Sequence, residues 1–194
     1  MSTPARRVLA HAAVAGGVCW ITLAIFALVT EARADGVTLV LSGASDYLAF
    51  GSFAAALALT VAALLGLHAH QRGADGRLGR AGTLIAIAGC AAQCVVISTI
   101  VVTGQEPSWF GVAAPLAILT WTVGSVLFGI AIHRAGVLPG WVAIALPLVT
   151  VFAIVGSEAG TSVLIGIYLA VIGVRLAKAG AGARPGDART RAWA

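Results

Sequence analysis

Apolar stretches long enough to cross a bilayer recur along the whole chain. A hydrocarbon core of about 30 Å requires about 20 apolar residues of helix. Six runs approach or exceed that length, at residues 8–30, 47–69, 82–103, 110–132, 138–156 and 160–177. The pattern predicts an all-α polytopic membrane bundle of six transmembrane helices in one domain, residues 1–178. Residues 179–194 have no apolar period, so we expect a disordered cytoplasmic tail there.

Charge placement orients these spans. Only 10% of the 194 residues are charged, against about 25% in soluble domains. Ten of the twelve basic residues lie before the first span, after the sixth, or in the loops after spans two and four, and Arg175 lies in the last turn of the sixth span. The loops at the opposite ends of the spans contain a single basic residue, Arg33, and five of the seven acidic residues. Basic residues collect in cytoplasmic loops, so we expect both termini in the cytoplasm of a bacterial inner membrane, with lipid and no nucleic acid as partner.

The N-terminus admits a second interpretation. Arg6 and Arg7 precede an apolar run that ends near Ala32-Arg33-Ala34, as in a cleaved secretory signal. Cleavage would leave five spans and an external N-terminus. The apolar run, residues 8–30, is longer than the 7–15 residues of a signal peptide, which favours an uncleaved first helix.

A weak internal repeat groups the spans in pairs. Spans two, four and six each end with basic residues and then a glycine, at Gly73, Gly136 and Gly180. Glycine at that position is typical of a left-handed helix C-cap. The repeat predicts three consecutive helical hairpins, an arrangement that also occurs in transporters.

Two of the inner loops resemble those of a known group of proteins. The segments GRLGRAG, residues 76–82, and RAGVLPGW, residues 134–141, are similar to loops of uncharacterised multi-span integral membrane proteins of actinobacteria. The resemblance covers the central part of the chain. It implies a membrane location and no particular activity.

Small residues recur every fourth position in the middle spans, where positions four apart share a helix face. The strips are Ser52, Ala56, Thr60, Leu64 and His68; Gly82, Ala86, Cys90, Cys94 and Ser98; and Ala113, Ala117, Trp121, Ser125, Gly129 and His133. Such strips allow membrane helices to approach closely. We therefore interpret them as packing faces.

Three side chains on or near these strips are candidates for polar contacts. Gln93 is the most polar residue in the middle of any span, and Trp121 and Ser125 lie near the middle of the fourth. We expect Gln93 to bond to a neighbouring helix, because amides stabilise membrane helix pairs in that way. A contact with a substrate is the alternative.

The histidines define a candidate cofactor site. His11, His68, His70 and His133 all lie near the predicted cytoplasmic ends of spans, and the strips direct His68 and His133 toward the interior. Neutral imidazoles bind haem iron and zinc. No carboxylate or cysteine at fixed spacing completes a metal shell, so no cofactor or metal is predicted, and His11, His68 and His133 remain candidates only.

The chain holds no motif for catalysis. Nucleophile elbows, phosphate-binding loops and HExxH are absent, and no charged residue lies near the middle of a span. We therefore expect no enzymatic activity and three possible functions. The first is a bundle that acts by association, as an accessory subunit, sensor or assembly factor, with itself or a membrane protein partner. The others are a transporter of a neutral or lipophilic molecule and a haem or metal protein.

Overall fold

The computed structural model describes residues 3–30, 40–71, 76–136, 138–155 and 161–181. Within them the chain forms six helices joined by short segments, with one isolated β-bridge between Val40 and Gln105. The helices are α1 (Thr3–Thr30), α2 (Ala44–Gln71), α3 (Gly76–Thr103), α4 (Phe110–Ala135), α5 (Gly140–Val155) and α6 (Thr161–Ala181). The all-α class is confirmed, and each expected span coincides with one helix. The expected tail lies outside the described residues except for 179–181, which continue α6.

Four of these helices are long and apolar enough to cross a membrane. They are α1 over Val8–Phe26, α2, α3 and α4. The apolar parts described for α5 and α6, Gly140–Val151 and Ser162–Arg175, are shorter. At 1.5 Å per residue, the 28 residues of α2 or α3 extend about 42 Å, more than the hydrocarbon core requires.

Neighbouring helices are antiparallel and close into a ring. Each helix packs on the next in the chain, and α6 packs on α1 more extensively than on α5 among the described residues. The contacts that set this register pair Trp20 with Thr60, Ala54 with Cys94, Ser125 with Thr150, Val142 with Tyr168, and Ala10 with Gly173. The three predicted hairpins are therefore present as neighbours, but the closure of α6 on α1 is an additional interface.

Glycine brings the backbones of α3 and α4 into direct contact. A Cβ atom on Gly82 would lie 2.5 Å from the backbone nitrogen of Phe128, closer than any real Cβ approaches. One on Gly89 would overlap the backbone of Trp121, and one on Gly124 would overlap the facing backbone of α3. No larger residue fits these positions unless the helices separate.

Glycine also brings the backbones of α1 and α6 into direct contact. A Cβ on Gly17 would lie 2.5 Å from the carbonyl oxygen of Gly166, and one on Gly173 would lie 2.7 Å from the carbonyl oxygen of Ala10. Two pairs of helices are thus joined by backbone contact, on either side of α2 and α5.

The strip of small residues in α3 divides between two neighbours. Four residues turn a helix by about 400°, so a strip with that spacing drifts by about 40° per step. Gly82 and Ala86 face α4, but Cys90 and Cys94 lie against backbone carbonyls of α2. The strips are packing faces as expected, although one strip does not serve one partner.

The α4–α5 contact depends on a proline. Pro147 lacks an N–H, so the carbonyl of Ala143 loses its helical donor. Gly129 packs directly on that carbonyl, which lies 2.5 Å from the place of its absent Cβ.

Left-handed glycines end α3 and α4. Gly136 has φ 63° and its N–H donates to Ile132 O at 3.3 Å, which confirms the predicted C-cap. Gly104 has φ 71°, and its carbonyl accepts from the N–H of Leu41 at 2.8 Å, which ties together the loops at that end. The cap predicted at Gly180 is wrong because α6 continues to Ala181, and Gly73 lies outside the described residues.

We predict that Gly89→Ala destabilises the bundle although alanine is the better helix former. The added methyl group meets backbone that cannot rotate away, and overpacking of this kind costs about 1–3 kcal/mol. Unfolding of the protein in mild detergent micelles, titrated with SDS, measures the change.

Gly51→Ala is the matched control, because nothing lies within 4 Å of its Cβ position in the interior of α2. It should be neutral or stabilising by up to about 1 kcal/mol. Equal effects of the two substitutions would contradict the backbone contact.

Candidate functional site

Ser125 forms a polar contact between α4 and α5. Its side chain is completely buried, and its Oγ lies 3.1 Å from the hydroxyl oxygen of Thr150. The Thr150 hydroxyl also lies 3.1 Å from the carbonyl oxygen of Leu146, so its single proton serves one acceptor at a time. Ser125 is thus an interhelical contact in this structure, one of the two roles considered for it.

Trp121 is buried against α3 and lines a small central cavity. The cavity has a volume of about 20 Å³, enough for about one water molecule. It is lined by α2, α4, α5 and α6, through residues that include Thr60, Leu64, Trp121, Thr150, Ile165 and Tyr168. A cavity of this size admits no organic substrate.

The other polar groups around the cavity are already bonded. Trp20 Nε1 donates to Thr60 Oγ1 at 3.1 Å, and that hydroxyl donates to Ala56 O at 2.7 Å. Tyr168 donates to Val142 O at 3.1 Å. These bonds connect α1 to α2 and α6 to α5, and they leave the cavity wall largely apolar.

Gln93 lies in the middle of the buried face of α3, only 5% exposed. Its Oε1 is buried and has no hydrogen-bond partner among the described residues. The interhelical bond expected of the Gln93 amide is therefore not made through its oxygen within the described residues. A buried acceptor without a partner carries a desolvation cost of about 1–3 kcal/mol.

Gln71 is a second buried amide, which the sequence did not indicate. It is 1% exposed, and both Nε2 and Oε1 lack a hydrogen-bond partner in the part of the chain described. The predicted span ended at residue 69, which placed Gln71 in a loop, but α2 continues through it. Its spacing from Leu67 and Leu64, four and seven residues earlier, is the signal that places it on the buried face.

His68 is half-buried where α2, α3 and α4 meet. Its Nδ1 lies 3.4 Å from Thr83 Oγ1, and its ring meets Phe128 edge-on with centroids 6.5 Å apart. Thr83 also lies 2.8 Å from Gly79 O, to which its hydroxyl donates. The imidazole packs between helices, as the strip on α2 predicted.

His133 does not point inward, and this corrects the expectation for it. Its side chain is exposed, near the first residue of α5, with Nδ1 3.8 Å from the Cβ position of Gly140. From Ala117 to His133 the four-residue strip drifts by about 160°, which carries the last member off the buried face. His11 is exposed on α1, and the described residues contain no group of three His, Cys, Asp or Glu side chains placed to hold a metal.

The thiols of α3 contact the backbone of α2. Cys90 Sγ lies 3.5 Å from Leu57 O, and Cys94 Sγ lies 3.4 Å from Ala54 O. Both cysteines are free thiols. Their contacts give them a role in the α2–α3 interface.

An open apolar groove runs along the outer side of α2 and α3. It has a volume of about 600 Å³ and is lined by Ala58, Val61, Ala91, Cys94, Val95, Ser98, Thr99 and Val102. The hydroxyl of Thr99 donates to its own helix, at Val95 O, so it presents little polarity to the groove.

No family model, curated protein or solved structure matches this chain. The resemblance of its loops to actinobacterial membrane proteins therefore stays a prediction. Function has to be inferred from the geometry.

We predict that Gln93→Leu stabilises the protein. Leucine removes a buried acceptor that has no partner among the described residues, and the desolvation cost recovered is about 1–3 kcal/mol. The free energy of unfolding in detergent micelles, measured by SDS titration, tests this.

Ser125→Ala serves as the comparison, since it removes an acceptor that does have a donor, at a cost of about 0.6 kcal/mol. If Gln93→Leu lowers stability as Ser125→Ala does, the side-chain oxygen of Gln93 has a hydrogen-bond donor, which would contradict its description as an unpartnered acceptor.

Proposed function

We propose that this chain is a six-span protein of the bacterial inner membrane that acts by association and catalyses no reaction. The proposal draws on four helices of spanning length and on the separation of charge between the two ends of the bundle. The exposed residues Arg77, Arg80, Arg134 and Arg175 lie at one end. Asp46 and Glu106 lie at the other, which under the positive-inside rule is the external end.

The closed interior favours association over transport. A carrier needs a substrate site near mid-depth, whereas the central cavity holds about one water molecule. Backbone contacts at Gly89 and Gly17 leave α3–α4 and α1–α6 no room to admit a solute between them. An accessory subunit, sensor or assembly factor needs no such path.

The main support for association is an apolar face of α4 that is exposed in the structure. Six large apolar side chains follow one another at alternating spacings of four and three: Val112, Leu116, Leu119, Val123, Val126 and Ile130. We call these six residues the α4 seam; each is between 41% and 68% exposed. It is the longest such series among the described helices. Spacing of four and three repeats every seven residues, as in the contact positions of a coiled coil.

A second copy of this chain is the partner that the seam suits best. Two copies inserted with the same orientation place their α4 helices parallel, and a two-fold axis brings each seam residue near its own counterpart. Membrane helices commonly pack at about +20°, the geometry of a left-handed coiled coil. We infer a homodimer through α4, and a different membrane protein partner would use the same seam.

Cysteine cross-linking across the seam tests this function. In a background without the three native cysteines, Leu119→Cys should form a disulfide-linked dimer in native membranes under mild oxidation, because Leu119 faces its counterpart. Non-reducing electrophoresis measures the dimer fraction.

Thr120→Cys is the matched control, exposed on the same helix but one position off the seam. It should cross-link much less. Equal cross-linking at the two positions, or a monomer in both, would contradict the α4 dimer.

The membrane orientation has a separate test. Ser42 is exposed beside Asp46, to which its N–H donates at 2.9 Å, at the proposed external end. In cells expressing the cysteine-free background, Ser42→Cys should react with a membrane-impermeant maleimide, and Arg77→Cys should react only after the membrane is opened.

Labelling of Arg77→Cys in intact cells, with Ser42→Cys protected, would reverse the orientation. Labelling of both Ser42→Cys and Arg77→Cys in intact cells would contradict the proposed topology.

A further inference from the structure

The spacing of the α4 seam extends one position further, to His133. Val112, Leu119 and Val126 follow one another at intervals of seven residues, and His133 is the next position in this series. Positions seven apart lie on one stripe of a left-handed coiled coil. The side chain of His133 is exposed, as the seam residues are, so it lies on the outer face of α4. In the proposed dimer it therefore belongs to the contact between the two α4 helices.

Trp109 extends the other series of the seam at the opposite end. It lies seven residues before Leu116, and its side chain is 44% exposed. From Trp109 to His133 the helix rises about 36 Å at 1.5 Å per residue, whereas the hydrocarbon core is about 30 Å thick. When the helix is centred in the bilayer, both ends lie at the level of the headgroups. His133 is thus placed where protons from the aqueous phase reach it.

A two-fold axis between parallel α4 helices brings the two imidazoles of His133 together. Residues on the contact stripe of such a pair face their own counterparts, with the helix axes about 8–10 Å apart. Neutral rings suit this position, because one ring nitrogen donates a hydrogen bond and the other accepts one. Protonated rings do not, because both nitrogens of each ring are donors and the two positive charges repel. The protonation state of His133 therefore determines whether this end of the contact is attractive or repulsive.

The charges described on α3 and α4 near His133 are positive. Arg134 follows it on its own helix, and α3, which packs on α4, carries Arg77 and Arg80 at the same end of the bundle. A proton on the imidazole adds to this positive charge. In the dimer the same groups are present twice, so the repulsion is not confined to the two rings.

The other helices against α4 supply no carboxylate at this end within the described part of the chain. The described residues of α5 contain no titratable side chain. On α2, His68 contacts α4 through Phe128, deeper in the bundle. The acids that the structure describes, Asp46 and Glu106, lie at the opposite end, and Asp75, before α3, lies outside the described residues. Protonation of His133 should therefore weaken association.

We propose that His133 and its counterpart form a proton-sensitive pair at the cytoplasmic end of the α4 dimer, so that acidification of the cytoplasm separates the two copies. This rests on the proposed function, the α4 homodimer, and specifies the protein as a sensor. Imidazole is the side chain that ordinarily changes charge between pH 5 and 8. Because the dimer binds fewer protons than two separate copies, its association weakens as the pH falls. Two unit charges a few ångström apart at a protein surface repel enough to lower an association constant about tenfold.

Energy transfer between labelled copies of the full chain tests this proposal. In the cysteine-free background, Ser42→Cys carries a donor or an acceptor dye at the proposed external end, away from His133. The dyes are chosen for emission that does not change with pH. The two labelled forms are mixed in vesicles buffered on both faces, and the dimer fraction is measured as lipid is added. We expect association to be about tenfold weaker at about pH 5.5 than at about pH 8.

Substitutions at His133 separate its charge from its packing. His133→Gln keeps a side chain that donates and accepts hydrogen bonds but carries no charge, so it should dimerise equally at both pH values. His133→Arg carries a permanent charge and should associate weakly at both. His11→Gln is the matched control, because His11 is exposed on α1 outside the seam, and this variant should keep the full pH response.

Other outcomes overturn the proposal and separate it from the dimer on which it rests. Equal association at both pH values, or a pH response that survives in His133→Gln, would exclude the histidine pair. Stronger association in acid would mean that a carboxylate such as Asp75 faces the ring, which contradicts the repulsion. Absence of energy transfer at either pH, together with no cross-link at Leu119→Cys, would instead refute the α4 dimer itself.

Discussion

Direct contact between helix backbones at glycine is the constraint on which this structure depends. In a lipid environment apolar burial does not drive helices together, so packing distance determines which pairs are stable. Gly89 and Gly82 let α3 lie against the backbone of α4, and Gly17 and Gly173 do the same for α1 and α6. Because these pairs flank α2 and α5, the ring closes around a core in which a void of about 20 Å³ remains.

The closed core determines what kind of function the chain can support. The hydroxyls near its centre are bonded, through Thr60, Thr150 and Tyr168, and they connect helices. Among the described residues, Oε1 of Gln93 and both amide atoms of Gln71 are buried without a hydrogen-bond partner. The open groove and the α4 seam both lie on the outside of the bundle, so these surfaces for recognition would face lipid at the proposed membrane location.

Hydropathy and charge predicted the number, type and approximate bounds of the helices, because long apolar runs between turn residues are local signals. Which helix each face contacts could not be predicted in this way, because those contacts join residues that are distant in sequence. A strip with a spacing of four residues drifts by about 40° per step. It therefore misplaced His133, and Gly82 and Cys90 of one strip pack on different helices. Spacing that alternates three and four, as in Gly82, Ala86 and Gly89, stays on one face. The α1–α6 interface joins the first and last helices, and no local pattern indicates it.

Solvent access at Ser125 tests the closed core most directly. With the native cysteines removed, Ser125→Cys is a conservative change at a completely buried position. A water-soluble thiosulfonate applied to membrane vesicles, opened so that both faces are reached, should leave this thiol unmodified, although it reacts readily with a cysteine at exposed Ser42. Comparable reaction rates at the two positions would mean that water reaches the centre of the bundle and that the chain contains a path for solutes.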